Sequence, residues 1–334
     1  MFTKIKKLIT KKSEVISSST SFDKYLTLDI KHGSSCDYHR VTVPFKYLQV
    51  KPKVPIYIFN RISSLGLDAL YKMKKEGIKI IMDIDDLPFL SKDHYLYEVF
   101  KSSGMTAHII ANLKLADVVL TTTPLLASRL KGYNKNIFVV PNALPFDESQ
   151  FTISKDKDFK SPIVWVGGAS HYPDLKEIKG CSFIKPPTLC GYEPKPGLTH
   201  EEWLKIRDDH PTATYEKGLQ ESNYMDLYDG HKVSIAPLLK SDFNACKSNL
   251  KVLESGAKGL PIVCSKVEPY YNSIDSKYVL YAETKHEWET HVNNLIKYEA
   301  YNEDVGKALS EHVRLQYNLK DINILRKHII ESFN

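Results

Sequence analysis

Residues 233–265 read VSIAPLLKSDFNACKSNLKVLESGAKGLPIVCS, and this stretch decides the fold. A strand-like apolar run over residues 233–236 ends at Pro237, and a polar loop then leads into a helix predicted over residues 247–257. Gly259 and Pro261 are typical helix-ending residues, and residues 262–264 form the next apolar run. A strand, a helix and a second strand in this order predict one βαβ unit of a parallel sheet.

The start of this predicted helix suits an anionic ligand. Unpaired N–H groups in the first turn and the aligned peptide dipoles both attract phosphate. Lys247 and Lys251 are four residues apart, which predicts that they share one helical face, and Glu254 follows Lys251 by about one turn. We expect Lys247, Ser248 and Lys251 to contact phosphate and Glu254 to accept hydrogen bonds from ribose. The alternative is an amphipathic helix with two solvated lysines.

The same alternation of elements extends over most of the chain. Strands are predicted at residues 54–59, 78–84, 118–122 and 137–140, and again at 163–166 and 188–190. Helices are predicted after Ser63 or Ser64, over residues 106–115, after Thr123-Pro124, and over residues 303–333 with Asn318 as a cap. Two more helices are predicted to begin with capping boxes, one formed by Thr199 and Glu202 and the other by Thr284 and Glu287. This order predicts an α/β fold with two doubly wound, Rossmann-like halves, whose ligands bind at the carboxyl ends of the strands.

The predicted domain boundaries follow from a change in composition. Residues 146–161 are rich in charge and poor in apolar side chains, which is typical of an interdomain linker. We therefore expect a first domain over residues 1–155 and a second over residues 156–312. Residues 313–334 are expected to form a helix that packs back on the first domain.

Composition limits the class of protein. The chain has 334 residues, of which 42% are hydrophobic, and a formal net charge of +6. There is no apolar run of about 18 residues and no signal-peptide pattern, and the five scattered cysteines favour reduced thiols, so a cytoplasmic location is expected. The basic start (Lys4, Lys6, Lys7, Lys11 and Lys12) is expected to be a solvated end, or else a peripheral contact with an anionic surface or nucleic acid.

Residues 243–254 carry the pattern Phe-Asn-x-x-Lys-Ser-Asn-Leu-Lys-x-x-Glu. This region resembles the donor-binding region of GT-B glycosyltransferases, particularly bacterial and phage-encoded enzymes. The resemblance extends over residues 78–272 and includes Asp83-Ile84-Asp85-Asp86, Pro141-Asn142, and Gly167-Gly168 followed by His171. It implies two domains facing a central cleft, with a nucleotide diphosphate sugar, a UDP-sugar in particular, as co-substrate. It also implies that no cofactor is tightly bound and that no divalent metal is required.

The resemblance also assigns candidate site residues. The expected donor-binding set is Gly167, Gly168, Asn244, Lys247, Ser248, Asn249, Leu250, Lys251 and Glu254, and the expected catalytic set is Asp85, Asp86 and His171. One position departs from the family pattern. Retaining members often have a sugar-binding glutamate eight residues before the ribose glutamate, but Cys246 occupies that position here. Asn244 or Lys247 is the expected substitute, and the sugar and the stereochemistry stay open.

The aspartates at residues 83–86 allow three interpretations. Asp83 and Asp85 lie on one side of the predicted strand, as in a metal-binding Asp-x-Asp pair. In the second interpretation, Asp85 or Asp86 positions or deprotonates the acceptor hydroxyl. In the third, these residues only cap a turn. We favour the second, because the following half of the chain resembles a complete GT-B donor domain.

The expected activity is therefore hexosyl or pentosyl transfer to an acceptor hydroxyl. The short, basic, Tyr-rich chain is similar to phage enzymes, so the specific hypothesis is glucosyl or arabinosyl transfer to hydroxymethylcytosine in duplex DNA, in the host cytoplasm. Polysaccharide, lipid or protein acceptors are the alternatives. The alternative to an enzyme is a non-catalytic protein that has the GT-B fold and binds nucleotides or nucleic acid. The basis for this hypothesis is that Cys246 replaces the glutamate that often binds the sugar.

Overall fold

The computed structural model describes residues 17–23, 25–154 and 161–333, which form two six-stranded sheets. The strands are β1 (Ser17–Asp23), β2 (Leu26–Lys31), β3 (Ile56–Asn60), β4 (Lys79–Ile84), β5 (Val118–Thr121), β6 (Ile137–Val139), β7 (Ile163–Val166), β8 (Thr188–Tyr192), β9 (Thr214–Lys217), β10 (Val233–Ala236), β11 (Ile262–Ser265) and β12 (Leu280–Ala282). The first sheet has the order β1-β2-β3-β4-β5-β6, and the second has the order β12-β11-β10-β7-β8-β9.

Helices connect these strands and cover the sheets. The α-helices are Ser35–Asp37, Val43–Tyr47, Leu67–Lys75, Tyr97–Ser103, Met105–Leu115, Pro124–Leu130, Tyr172–Leu175, Leu198–Asp209, Asp242–Ala245, Leu250–Lys258, Lys285–Lys297, Glu299–Gln316 and Leu319–Glu331. Short 3-10 helices cover Ala169–His171, Lys176–Ile178 and Tyr224–Tyr228, and a π-helical turn covers Tyr38–Thr42. None of the helices described is long and apolar enough to cross a membrane.

The first sheet is parallel from β2 to β6, and β1 is antiparallel to β2. The central strands β3, β4 and β5 are buried on both faces, as expected when helices cover both. Leu70 and Ile109 pack against one face, whereas Phe45 and Ile330 pack against the other. Ile330 belongs to the last helix, Leu319–Glu331, so the end of the chain packs against the first half.

The second sheet is parallel throughout, and its strand order reverses between β10 and β7. Trp203 and Trp288 pack on one face, and Leu253 and Leu309 pack on the other. Such a reversal opens a crevice at the carboxyl ends of the two neighbouring strands. The loops that follow β7 and β10 at this crevice begin at residues 167 and 237 and extend over residues 167–171 and 237–249. The expected α/β fold with two doubly wound halves is confirmed, although only the second sheet has a reversed strand order.

The helix predicted over residues 247–257 is observed as Leu250–Lys258, which corrects one expectation. The hydroxyl of Ser241 accepts a hydrogen bond from the backbone N–H of Asn244 and caps a separate short helix, Asp242–Ala245. Lys247 therefore lies in a connecting loop and does not share a helical face with Lys251.

Three helix caps are confirmed, and two are wrong. Thr123, Asn318 and the Thr284–Glu287 capping box form as predicted. Ser63 does not begin a helix, because its hydroxyl bonds to Tyr57 and Asp29, and the helix starts at Leu67. Thr199 lies inside the helix Leu198–Asp209, which begins after Gly197 without a side-chain cap.

Several expectations concern other boundaries. Phe146 and Phe151, within the predicted linker, are buried in the core of the second half. The boundary between residues 155 and 156 and the basic start of the chain lie outside the described residues. The boundary predicted between residues 312 and 313 falls within the continuous helix Glu299–Gln316.

Candidate active site in the cleft

A cavity of about 620 Å³ lies between the two halves, at the carboxyl ends of both sheets. Loops that follow β2, β3 and β4 form its first wall, and loops that follow β7, β8 and β9 form the second, together with the start of the helix Leu250–Lys258. The volume lies within the range of about 300–1,000 Å³ that is typical of small-molecule sites.

Glu254 is the most constrained acidic residue in this cavity. Its side chain is 2% exposed, and its carboxylate accepts hydrogen bonds from the hydroxyls of Tyr224 at 2.8 Å and Tyr228 at 2.7 Å. The Lys251 ammonium lies 3.3 Å from the same carboxylate. Burial raises the pKa of Glu254, but the charge of Lys251 and the tyrosine hydrogen bonds outweigh it, so the pKa lies below its ordinary value. The residue is therefore a carboxylate at neutral pH. Tyr228 and Lys251 both donate to Oε2 and Tyr224 donates to Oε1, so one lone pair, on Oε1, remains for a ligand.

Two lysines stand near the start of the same helix. Lys251 lies in its first turn, and Lys247 lies in the preceding loop, with its ammonium 3.9 Å from Asp86 and over the ring of Phe243. Leu250 and Ser248 also line the cavity. Asn249 is the residue at which the helix begins, and its side-chain amide donates to Ser273. Positive side chains and free N–H groups of the first helical turn thus meet in one place, which favours a phosphate there.

Glycines at the ends of three neighbouring strands form one wall of the cavity. Gly167 follows β7, Gly191 lies in β8 and Gly218 follows β9, and all three line the cavity together with Gly168. Gly191 has a φ of +118°, and a Cβ added there would lie 1.9 Å from the carbonyl oxygen of Gly167. Only glycine fits at position 191, because the backbone of Gly167 lies where a side chain would begin, and backbone therefore forms this part of the wall.

His171 and Asp174 form a pair beside these glycines. The Nδ1 atom of His171 lies 2.7 Å from Asp174. The other oxygen of Asp174 accepts hydrogen bonds from the amide of Asn244 at 2.7 Å and from the backbone N–H of Leu239 at 2.9 Å. Burial lowers the pKa of His171 by more than Asp174 raises it, which leaves the ring neutral at neutral pH with Nε2 as its acceptor atom. Asn244 thus orients this pair and lies outside the lining of the main cavity.

The three aspartates at the end of β4 are bound to two arginines. Asp83 is buried and receives two hydrogen bonds from Arg40, at 2.8 and 2.9 Å. Arg61 donates to Asp85 at 2.8 Å and to Asp86 at 2.6 Å. Burial raises the pKa of Asp85, but Arg61 outweighs this effect and holds the pKa well below its ordinary value. In the part of the chain that is described, no three His, Cys, Asp or Glu side chains form a metal-ligand cluster.

Cys246 lies away from the cavity. Its side chain is fully buried and packs with the core cluster of the first half, among residues that include Tyr57 and Leu113. Cys246 is not part of the cavity lining, so any contact with a sugar in this cavity has to come from another residue.

The structure brings most of the predicted residues together. Those that line the cavity are Asp85, Asp86, Gly167, Gly168, His171, Lys247, Ser248, Leu250, Lys251 and Glu254. Sequence reasoning missed Arg61, Tyr224, Asp174 and His94. Arg61 had a weak signal, because it lies two residues after a predicted strand. Asp174 also had a local signal, because it lies three residues after the predicted His171, to which it is bonded. The two tyrosines lie about 30 residues from Glu254, so nothing local identified them.

Solved structures of glycosyltransferases share this architecture. A sucrose-phosphate synthase from Thermosynechococcus elongatus is 13% identical over 84% of this chain and 73% of its own, with a TM-score of 0.60. HepE from Anabaena, solved with UDP-glucose, is 9% identical over 83% of this chain and 78% of its own, also with a TM-score of 0.60. TarM from S. aureus, solved with UDP, is 13% identical over 88% of this chain, with a TM-score of 0.58, and this chain spans 57% of its length.

No protein-family model matches the sequence, and no curated protein matches it either. The likeness therefore concerns structure. Two α/β halves with largely parallel sheets, a cleft at the carboxyl ends of both sheets and the likeness to these solved structures together show that the chain has the GT-B fold.

Proposed function

We propose that this protein transfers a sugar from a nucleotide diphosphate sugar, a UDP-sugar in particular, to an acceptor hydroxyl. The observation that carries this proposal is the buried carboxylate of Glu254, held by two tyrosine hydroxyls and Lys251 one turn inside a helix that begins at the cavity. Such a carboxylate can accept a hydrogen bond from one ribose hydroxyl through the remaining lone pair of Oε1, and the helix start suits the diphosphate beside it. The UDP complexes of HepE and TarM support the choice of nucleotide.

The donor site divides into three parts. Glu254 binds the ribose, while Lys247, Lys251 and the first N–H groups of the helix bind the diphosphate. The backbone surface at Gly167, Gly168 and Gly191 lets the nucleotide lie close to the sheet. Ser248, Asn249 and Leu250 shape the loop at the helix start. Asn244 and Lys247 were the two residues expected to bind the sugar in place of the glutamate that Cys246 replaces. Asn244 is hydrogen-bonded to Asp174 outside the cavity lining, so Lys247 is the one that reaches the sugar.

The reaction breaks the bond between the anomeric carbon and the diphosphate oxygen and forms a bond from that carbon to the acceptor oxygen. Negative charge develops on the leaving diphosphate, where the two lysines and the helix dipole stabilise it. This arrangement neutralises the leaving group with side chains and backbone, so we expect transfer to proceed without a divalent metal. Adding a chelator to the assay tests this expectation.

The acceptor proton has two routes. In a retaining reaction it passes to an oxygen of the leaving diphosphate. In an inverting reaction a base must take it, and neutral His171 suits that task better than Asp85 or Asp86, which already accept hydrogen bonds from Arg61. Asp85 and Asp86 then act by positioning Arg61 at the acceptor side.

The test is to incubate the protein with a panel of nucleotide sugars and to measure release of the nucleotide together with the shift in melting temperature. Lys247→Ala should lower kcat/KM for the donor by about 10- to 100-fold, as expected for loss of a charge-assisted contact. Lys240→Ala, an exposed lysine before the same loop, is the matched control. If no nucleotide sugar is bound or turned over, the proposal fails. Binding of UDP without any turnover would favour the non-catalytic alternative.

A further inference from the structure

The segment that follows β4 gives the first wall of the cavity an apolar surface. Leu87, Leu90, Leu96, Phe100 and Ile109 all line the cavity from this segment, between Asp86 and the middle of the helix Met105–Leu115. The opposite wall carries the glycines, Lys251 and Glu254 described above. The second wall suits a polar nucleotide. On the first wall, Arg61, Asp85 and Asp86 form a charged part, and the part that follows Asp86 suits an apolar group.

The charges in the cavity are unfavourable for a second anion. Its lining holds three cationic side chains and four carboxylates, which are Arg61, Lys247, Lys251, Asp85, Asp86, Glu221 and Glu254. Arg61 is hydrogen-bonded to Asp85 and Asp86, and Lys251 is paired with Glu254. A donor diphosphate would add further negative charge and would engage Lys247. No cation in the described lining then remains to balance an anionic acceptor.

The histidines of the cavity add no positive charge at neutral pH. Burial lowers the pKa of both His39 and His94 to about 4. The Nδ1 atom of His94 accepts a hydrogen bond from the backbone N–H of Leu96 at 3.1 Å, so its proton is on Nε2. His94 thus offers one neutral hydrogen-bond donor at the edge of the apolar wall, which suits an uncharged hydroxyl.

We propose that the acceptor is an uncharged alcohol whose hydroxyl is attached to an aromatic or aliphatic group, and that this group lies against the Leu96–Phe100 side of the cavity. The proposal rests on the glycosyl transfer proposed above. The acceptor oxygen bonds to the anomeric carbon as the diphosphate leaves, and its proton passes to the diphosphate or to His171. A phosphodiester or a sugar phosphate would enter a cavity with no free cation for it.

The experiment measures transfer from UDP-glucose, or from the sugar nucleotide that the panel selects, to three alcohols. Benzyl alcohol carries the apolar group, 4-(hydroxymethyl)benzoate adds one negative charge to it, and glucose lacks the apolar group. We expect kcat/KM for benzyl alcohol to exceed that for each of the others by at least tenfold. Equal or higher values for the benzoate or glucose, or a preference for duplex DNA containing hydroxymethylcytosine over benzyl alcohol, would overturn the proposal.

Variants locate the apolar wall. Phe100→Ala and Leu96→Ala should each raise the KM for benzyl alcohol about tenfold, and the KM for the donor by much less. Val99→Ala is the matched control, because Val99 lies in the same helix and its side chain is 42% exposed. Equal changes in the two KM values, or the same change in the control, would show that the wall does not bind the acceptor.

Failure of this inference is distinguishable from failure of the proposed function. If the nucleotide is released from no sugar nucleotide, with or without an alcohol present, glycosyl transfer itself is refuted. If the nucleotide is released and a sugar is transferred, but without preference for benzyl alcohol over the benzoate, glycosyl transfer stands and the acceptor class is wrong.

Discussion

The side-chain amide of Asn142 donates a hydrogen bond of 2.7 Å to the hydroxyl of Ser248, and this bond joins the two halves of the molecule. The amide oxygen of Asn142 accepts from Arg40 at 2.9 Å, and Arg40 in turn binds Asp83 at the end of β4. A continuous series of hydrogen bonds thus runs from the core of the first half to the loop that leads into the helix Leu250–Lys258. The position of this loop therefore depends on how the two halves are arranged.

This connection predicts unequal effects of two substitutions. Asn142→Ala leaves both a buried guanidinium N–H of Arg40 and the Ser248 hydroxyl without their partner, and should reduce the free energy of unfolding by about 1–3 kcal/mol. Ser248→Ala keeps the Arg40–Asn142 bond and should lose only about 1 kcal/mol. Urea unfolding measures both. Ser128→Ala, at an exposed helical position, is the control. Equal losses for the two variants would mean that the additional bond from Arg40 to Asn142 does not contribute to stability.

The role of Glu254 predicts a loss of nucleotide affinity. Glu254→Gln keeps the shape of the side chain but removes the charge that pairs with Lys251 and that, in the proposed donor site, accepts a hydrogen bond from ribose. We expect the Kd for UDP to rise about 10- to 100-fold, as for loss of charged hydrogen bonds. Titration calorimetry checks this value. Glu283→Gln, which removes an exposed partner of Lys266, should leave the Kd unchanged.

The sequence predicted the helix Leu250–Lys258, apart from its exact start, because the signals are local. Short apolar runs identified β7, β10 and β11, and the residues at the helix start led to the phosphate site, which stays a prediction. The strands β1 and β2 were missed. Residues 17–23 of β1 are nearly all polar and give no strand pattern, whereas residues 26–31 of β2 alternate between apolar and polar side chains, a local signal that was overlooked. Their place in the sheet depends on pairing with β3, which no local pattern reveals.

Most partners of the site residues were not predicted either, because they are distant in the chain and no local pattern shows the contact. Tyr224 and Tyr228 reach Glu254 from about 30 residues away in the chain, and Arg40 reaches Asp83 across 43 residues. Which donor satisfies a buried carboxylate is decided by tertiary packing. The helix boundary at Leu250 was misplaced because the cap formed by Ser241 competes with a single longer helix.

The glycine surface predicts a severe local constraint. In Gly191→Ala, the new Cβ would overlap the carbonyl oxygen of Gly167, and the residue would also have to adopt a φ of +118°. A backbone atom cannot move aside as a flexible side chain can, so we expect a loss of stability of roughly 3 kcal/mol or more. Thermal or urea unfolding checks it. Gly132→Ala, where the added carbon meets nothing within 4 Å, should cost less than 1 kcal/mol. A stable Gly191→Ala variant would show that this wall of the cavity can rearrange.

The burial of His39 predicts that the stability of the protein depends on pH. Burial lowers its pKa to about 4, with Glu254 and Asp85 opposing and Lys251 and Arg40 reinforcing that shift. Between pH 6.5 and 4, the unfolded chain therefore binds a proton that the folded protein does not. Stability contributed by neutral His39 is present above pH 6.5 and is lost as the pH falls, by on the order of 3 kcal/mol near pH 4.

Urea unfolding at pH 7.5, 5.5 and 4.5 measures this slope. His39→Gln should flatten it in part, because His94 has a similarly lowered pKa and keeps its own contribution. His286→Gln, at an exposed position in the helix Lys285–Lys297, should leave the slope unchanged. A slope that is the same in the wild type and in His39→Gln would contradict the buried, neutral state of this histidine.

The contrast between His171 and Asp85 predicts which of them the reaction needs. Asp85 is a weak base because Arg61 holds its pKa well below the ordinary range, whereas His171 is neutral and is oriented by Asp174. His171→Asn should therefore lower kcat by about 100-fold or more, and Asp85→Asn should lower it at least tenfold less. Because burial also lowers the pKa of His171, the acidic limb of the pH profile should lie below pH 6.5 and should vanish in His171→Asn. NMR of the product anomer, recorded alongside, tells whether the sugar is inverted, as a base at His171 requires. An inactive Asp85→Asn variant beside an active His171→Asn variant would return the role of base to the aspartate.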